Sequence, residues 1–316
     1  MDTVQRILSG KAINDEELLD FVTNAPLHRL FFVASELRSR YRGYRVDLCA
    51  IVNAKSGRCA EDCKYCAQSV HYRTGVDSYG LLDVEEILQH AEQSKAAGAK
   101  RFCVVTSGRK PSSGELRQIA LAISGIRETG LFPCATLGIL NREELELLKE
   151  AGLNRYHHNL ETARSFFAEV CSTHSYDDKL MTIEAVKQTG LSLCSGGIFG
   201  LGESWKQRLE MALELKRISP DSIPVNFLIP IKGTPLGERP RLDPVEALRI
   251  ISLLRIILPD KEIRVCGGRL QVLGEFNSMV FMAGADGLLV GNYLTQKGRR
   301  AEDDHYMINS QGLSFR

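Results

Sequence analysis

Residues 84–107, VEEILQHAEQSKAAGAKRFCVVTS, carry the unit on which the fold turns. Apolar residues recur three and four apart in its first part, and Gly98 stands just past the carboxyl end, as in an amphipathic helix with its stop signal. RFCVVTS, residues 101–107, then takes on the β-rich composition of a strand. The same alternation runs outward in both directions. RVDLCAIV (45–52), FPCATLG (132–138), NRYHHNLE (154–161), LSLCSGGIFG (191–200), SIPVNFLIP (222–230), EIRVCGG (262–268) and DGLLVGN (286–292) also read as strands, and REELELLKEAG (142–152) is another intervening helix. Apolar strands joined by crossover helices imply a parallel sheet covered on both faces. Eight such units in one run favour a closed barrel over an open sheet. The expected class is therefore α/β, a (βα)8 TIM-type barrel with an N-terminal helical extension. Its expected parts are the extension at 1–45, the barrel at 46–295 and a C-terminal tail at 296–316. No linker rich in Pro, Gly or Ser divides them, which predicts a single domain.

The bulk properties bound the function. The chain has 316 residues, enough for one large core, and 40 lysines and arginines against 39 acids leave a net charge of +1. That balance gives no attraction for phosphate backbones or anionic lipid, so neither a nucleic acid nor a membrane is expected as partner. The amino terminus mixes acids into a helical pattern and does not read as a signal peptide. The longest apolar stretch, IISLLRIIL (250–258), is interrupted by Arg255 and is too short to span a bilayer. A cytoplasmic location is expected. Nine cysteines, an odd count, then point away from a disulfide framework and toward metal ligation, catalysis or burial.

Cys59, Cys63 and Cys66 form C-x3-C-x2-C directly after the first strand, at the end of the barrel where such folds place their active sites. Three thiolates on one loop can hold three irons of a 4Fe-4S cubane, leaving the fourth iron open to a small molecule, unlike the four-cysteine pattern of ferredoxins. Structural zinc with His71 as fourth ligand is the alternative, but zinc loops usually pair C-x2-C with a second such pair, and none follows.

The loop resembles the radical-SAM signature, and its surroundings narrow the resemblance to the biotin synthases. The likeness runs from about Val46 to about Leu294 through CAEDCKYCAQS, RFCVVTSG, CATLG, HNLET, LCSGGIFGLGE, VNFLIPIKGTPL and FMAGADG. It implies an enzyme whose open iron binds S-adenosylmethionine (SAM), and which inserts sulfur from an auxiliary iron-sulfur cluster into dethiobiotin to make biotin. It also implies a one-electron reductant protein, iron-sulfur assembly machinery and a homodimer. Two rivals are another radical-SAM enzyme such as a hydrogenase-cofactor maturase, which would not be expected to repeat the later cysteines, and a non-catalytic iron-sulfur carrier, which needs no open iron.

The resemblance assigns further residues. Tyr65, Gly196, Ile198, Gly200, Asn159 and Glu161 fall to SAM, with Glu203 completing G-x-I-x-G-x-x-E; an ordinary strand-to-helix turn with Glu203 near a helix start is the plainer reading of that run. Glu161 stands where the family has aspartate, one methylene shorter. Asn159 and Asn226 fall to substrate, although an asparagine in a strand is more often a satisfied buried amide. Cys103, Cys134 and Cys194 match the auxiliary ligands, whereas Cys49 and Cys171 match none and are left to packing. The family pattern completes a 2Fe-2S cluster with an arginine, here Arg264. Cys266 lies two residues on, and period two puts both on one face. A protonated guanidinium has no lone pair to offer, so a thiolate is the easier donor and a four-iron auxiliary cluster becomes open to this chain.

Overall fold

The computed structural model describes residues 2–294 and 298–315. Three helices, Thr3–Leu8, Asp15–Asn24 and Leu27–Arg42, form the amino-terminal extension. The second begins where Asn14 accepts the Glu17 N–H, and the third stops at Gly43, whose φ of 68° is open to glycine at little steric cost.

Ten strands follow: β1 Arg45–Lys55, β2 Arg101–Thr106, β3 Phe132–Thr136, β4 Arg155–His157, β5 Ser192–Cys194, β6 Gly197–Phe199, β7 Ser222–Phe227, β8 Glu262–Val265, β9 Gly287–Leu289 and β10 Ser314–Phe315. They pair in parallel from β1 through β5 to β7, β8 and β9, and β9 returns to β1, which closes the barrel. Eight staves result, because β5 and β6 are two halves of one. LSLCSGGIFG is thus not a single strand. The break at Ser195–Gly196 lies opposite Pro224, which has no amide hydrogen to give the ladder, and a Cβ on Gly196 would sit 2.1 Å from the Pro224 carbonyl oxygen.

Period two divides each strand between two surroundings. Leu48, Ala50, Val52, Phe102, Val104, Ala135 and Tyr156 are buried in the main apolar core, while Cys49, Ile51, Cys103, Val105, Cys134, Thr136, Arg155 and His157 line a cavity inside the barrel. The cysteines of the strands are therefore cavity residues. The expected boundary between barrel and tail, at 295 and 296, lies outside the described residues. Beyond it a helix, Ala301–Asn309, packs back on the barrel, and β10 pairs with Arg45 and Val46 at the start of β1.

Candidate active site

The cysteine loop leaves β1 at Lys55 and is closed by a bridge between Ser56 and Tyr79. Arg58, at a left-handed φ of 51°, turns the chain into Cys59. The Cys59 N–H donates to the Gln68 carbonyl (2.9 Å), Val70 N–H to the Cys59 carbonyl (2.8 Å) and Cys66 N–H to the Cys63 carbonyl (2.9 Å), so backbone bonds fix all three positions. The three thiols are free and line a cavity of about 460 Å³ together with Tyr65. Burial pushes Cys66 up to about 11; such a thiol becomes a thiolate when a metal replaces its proton.

The donor set fits a multi-iron cluster better than one ion. Among the described residues the only His, Cys, Asp or Glu group whose ligand atoms all lie within 4.8 Å of one another is Cys63, Cys171 and His174. The triad is not so tight. His71 does not join it either, since its Nε2 lies 3.0 Å from the Ala60 carbonyl oxygen. The zinc alternative built on His71 thus finds no support.

One wall of the cavity is a hydrogen-bonded row. Thr136 Oγ1 lies 2.9 Å from His157 Nδ1, His157 Nε2 lies 2.9 Å from Asn159 Oδ1, and Asn159 Nδ2 donates to Glu161 Oε2 at 3.2 Å. Asn159 Oδ1 also accepts the Gly196 N–H (3.1 Å), which fixes the amide so that Nδ2 points to the carboxylate. Asn159 Oδ1 can only accept, so His157 carries its proton on Nε2, and Thr136 donates to Nδ1. Burial pushes His157 down to about 4, so the ring is neutral near pH 7. Glu161 closes the row with a φ of 71°, left-handed backbone that a non-glycine residue rarely adopts and that clusters at functional sites.

The turn after β5 divides by role. Ile198 lines the cavity. Gly196 packs on β7, and Gly200, at φ 91°, donates its N–H to Glu203. The Glu203 carboxylate also accepts from Gly202 N–H and Arg208 Nε, so it braces the turn. Asn226 lines the cavity with its amide already engaged: Nδ2 donates to the Gly197 carbonyl (3.2 Å) and Oδ1 accepts the Gly267 N–H (3.0 Å).

Five cysteines, Cys49, Cys103, Cys134, Cys194 and Cys266, reach the cavity from five strands or strand ends. Cys103 and Cys134 are register partners, and Cys49 packs with Cys266. Burial holds Cys194 up at about 11 and Cys266 at about 12. Arg101, Arg155 and Arg264 surround them, opposed by Asp47 and Glu262. Arg264 Nη2 donates to Asp47 Oδ1 (2.6 Å) and to Glu262. Burial opposes its charge, but the two carboxylates outweigh burial and keep it protonated. The donor set thus offers thiols for iron and a guanidinium already occupied by carboxylates.

Several of these residues escaped sequence reasoning. Cys49, which matches no family ligand position and reads as packing in the sequence, faces the cavity beside Cys266; alternation along β1 carries that signal. His157 lies at i−2 from Asn159 and could have been found the same way. Cys171 and His174 stand on a loop and gave no signal.

The Radical SAM superfamily model matches residues 54–215, and the Biotin and Thiamin Synthesis associated domain matches 224–314. Biotin synthase of Thermodesulfovibrio yellowstonii is 51% identical over 94% of this chain and 94% of its own. That of Pelotomaculum thermopropionicum is 48% identical over 99% of this chain and 98% of its own. Among solved structures, methylornithine synthase superposes with a TM-score of 0.87 at 20% identity, covering 100% of this chain and 97% of that one. An FeFe-hydrogenase maturase from Carboxydothermus hydrogenoformans gives 0.83 at 18%, over 99% and 78%. The two structures share the barrel, which the maturase rival predicted equally well, whereas the near-full-length sequence likeness separates the alternatives. The chain belongs to the biotin synthase family of the radical SAM superfamily.

Proposed function

We propose that this chain, as one barrel domain, converts dethiobiotin to biotin, with Cys59, Cys63 and Cys66 holding the SAM-binding 4Fe-4S cluster and the floor cysteines holding an auxiliary cluster. The observation that carries this reading is that two cysteine sets, one on the loop at the mouth and one on the strands of the floor, face a single cavity. When bound, the clusters and SAM supply a hydrogen-abstracting deoxyadenosyl radical and the sulfur to be inserted. The protein's part is placement and exclusion. Tyr65, Ile198, Asn159 and Glu161 surround the space beside the triad, where Glu161 offers a carboxylate to a ribose and Ile198 an apolar face to adenine. Gly196 and Gly200 shape the turn that presents Ile198. The neutral His157 holds the Asn159 amide in one orientation, and Asn159 and Asn226 keep one free amide N–H each for the cyclic urea of dethiobiotin. The strand walls keep water away from reactive carbon.

Cys103, Cys134, Cys194 and Cys266 form the auxiliary ligand set in this reading, which suits a four-iron cluster, and Arg264 stands beside it as a hydrogen-bond donor. Its two carboxylate partners support that role, because they favour the form with no lone pair. A one-electron reductant, cluster-rebuilding machinery, a homodimer and a cytosolic setting complete the proposal. None of the described helices is long and apolar enough to cross a membrane.

The test is anaerobic turnover with SAM and reductant. Replacing Cys59, Cys63 or Cys66 by alanine should abolish 5′-deoxyadenosine release. Cys134→Ala should still release it when dethiobiotin is present, yet make little or no biotin. Wild-type biotin yield from Cys134→Ala would remove the sulfur-source assignment.

A further inference from the structure

The only tight ligand set among the described residues joins one member of the triad to two residues that the cluster does not use. Cys171 Sγ lies 3.7 Å from Cys63 Sγ and 3.3 Å from His174 Nδ1, and all three ligand atoms fall within 4.8 Å of one another. Zinc-sulfur bonds of about 2.3 Å and zinc-nitrogen bonds of about 2.05 Å at a tetrahedral angle require S···S near 3.8 Å and S···N near 3.6 Å. The two spacings made by Cys171 match those edges to within a few tenths of an ångström, and the third edge, from Cys63 to His174, is under 4.8 Å before any ion has drawn the donors in. We propose that the cluster-free chain binds a single thiophilic divalent cation, of the zinc or ferrous class, through Cys63, Cys171 and His174.

Three arrangements hold the donors of this set together. The Glu61 carboxylate bonds to His174 Nδ1, the same nitrogen that faces Cys171, and Asp62 Oδ1 lies 3.2 Å from Cys171 Sγ, so the two acids hold the donors in place and must yield them to an ion. Asp62 also accepts the N–H groups of Ser172 (2.8 Å) and Thr173 (3.2 Å), which pins the 171–174 loop against the cysteine loop. Phe167 packs edge-on against His174 and holds the ring in place. Opposing them, Arg109 lies 3.6 Å from Glu61 and Lys179 lines the same cavity, so the dication depends on two thiolates for its neutralisation. Binding releases the thiol protons of Cys63 and Cys171 to solvent, requires the His174 proton to sit on Nε2 rather than on the Nδ1 that faces Glu61, and leaves a neutral Cys2His site with a fourth position open.

Cys63 cannot serve this ion and an iron of the cubane together. The single-ion and cluster forms therefore exclude one another, a consequence that rests on the assignment of Cys63 to the cluster, whereas the site itself does not. No other cysteine of the triad takes part in the proposed site.

Cobalt(II) is the probe, added anaerobically to the full-length, iron-free chain. One ion per chain should bind with thiolate-to-cobalt charge-transfer bands and tetrahedral visible bands. Cys171→Ala, Cys171→Ser and His174→Ala should each weaken binding at least tenfold, while Cys59→Ala and Cys66→Ala leave it unchanged; circular dichroism checks that each variant is folded. Binding that survives both Cys171 variants, or that is lost with Cys59 or Cys66, overturns the site. In a second arm, zinc bound beforehand should slow cluster reconstitution at least tenfold in the wild type and not in Cys171→Ala. Reconstitution at full rate despite a confirmed cobalt site would overturn the shared use of Cys63 and leave the site standing.

Discussion

Arg264 and Cys266 show how much one side chain's neighbours decide. The arginine is 3% exposed and bonded to Asp47 and Glu262, while the thiol two residues on is 6% exposed, packed with Cys49 and Leu289 and, among the described residues, engaged by no carboxylate. Cys266→Ser should therefore lower iron and sulfide per chain anaerobically, because serine is the poorer ligand for iron, whereas an unchanged auxiliary cluster would return the fourth place to Arg264. Arg264→Met should instead destabilise the fold, since it leaves Asp47 and Glu262 short of a buried partner. Asn226 also reads differently once its bonds are known. Its amide joins the Gly197 carbonyl to the Gly267 N–H, so Asn226→Leu orphans two backbone groups as well as any substrate contact. Each buried orphan costs about 1–3 kcal/mol. The variant should bind dethiobiotin at least tenfold more weakly and also unfold at lower denaturant concentration, with SAM affinity little changed. Weaker binding at unaltered stability would show that the backbone bonds matter less than the substrate contact.

Elements were legible wherever one physical signal governed them. The helix at 84–96 and the strand at 101–106 came from a clean change of period, and the cysteine loop from its spacing and its place after β1. The split stave was not legible, because the interruption depends on which residue of β7 lies opposite Gly196, and register is a tertiary fact. Cys171 was hidden for the same reason, lying 108 residues from Cys63 on a loop that only packing brings home. Cys49 was legible in principle, but an apolar strand with a lone cysteine reads as burial until the barrel's inside is known. Gly196 gives a test at this scale. Gly196→Ala puts a methyl group 2.1 Å from the Pro224 carbonyl oxygen, which must separate the fifth stave from β7. Overpacking of this sort costs about 1–3 kcal/mol and occasionally more. Thermal denaturation should show the loss, and SAM binding should fall with it as Ile198 shifts; an alanine variant of wild-type stability would mean that the two strands separate more freely than their packing implies.

At the scale of the whole molecule, β9 closes the barrel on β1, and a carboxy-terminal segment returns to that same strand. β10 extends the start of β1, and the helix Ala301–Asn309 is fastened by Asp304, whose carboxylate takes both Nη groups of Arg269 at 3.0 and 2.6 Å. Both side chains are wholly buried. Arg269 begins the short helix Arg269–Leu273 that follows β8, three residues past Cys266, so this pair ties the tail to the part of the barrel that carries Cys266. A buried ion pair contributes little net stability over an apolar pair of similar size, but removing one partner strands a charge and costs about 3–5 kcal/mol. Asp304→Ala should therefore destabilise the chain by about that amount, while the double change Arg269→Met with Asp304→Leu should recover most of it. Arg299 Nη1, 3.2 Å from Asp304 and partly exposed, can turn to solvent when the carboxylate is lost, so it does not offset the effect. Urea denaturation of the two variants and of each single Arg269 and Asp304 change gives the coupling energy. If the double variant is as unstable as Asp304→Ala, the deficit comes from lost packing of the tail rather than from an unpaired guanidinium.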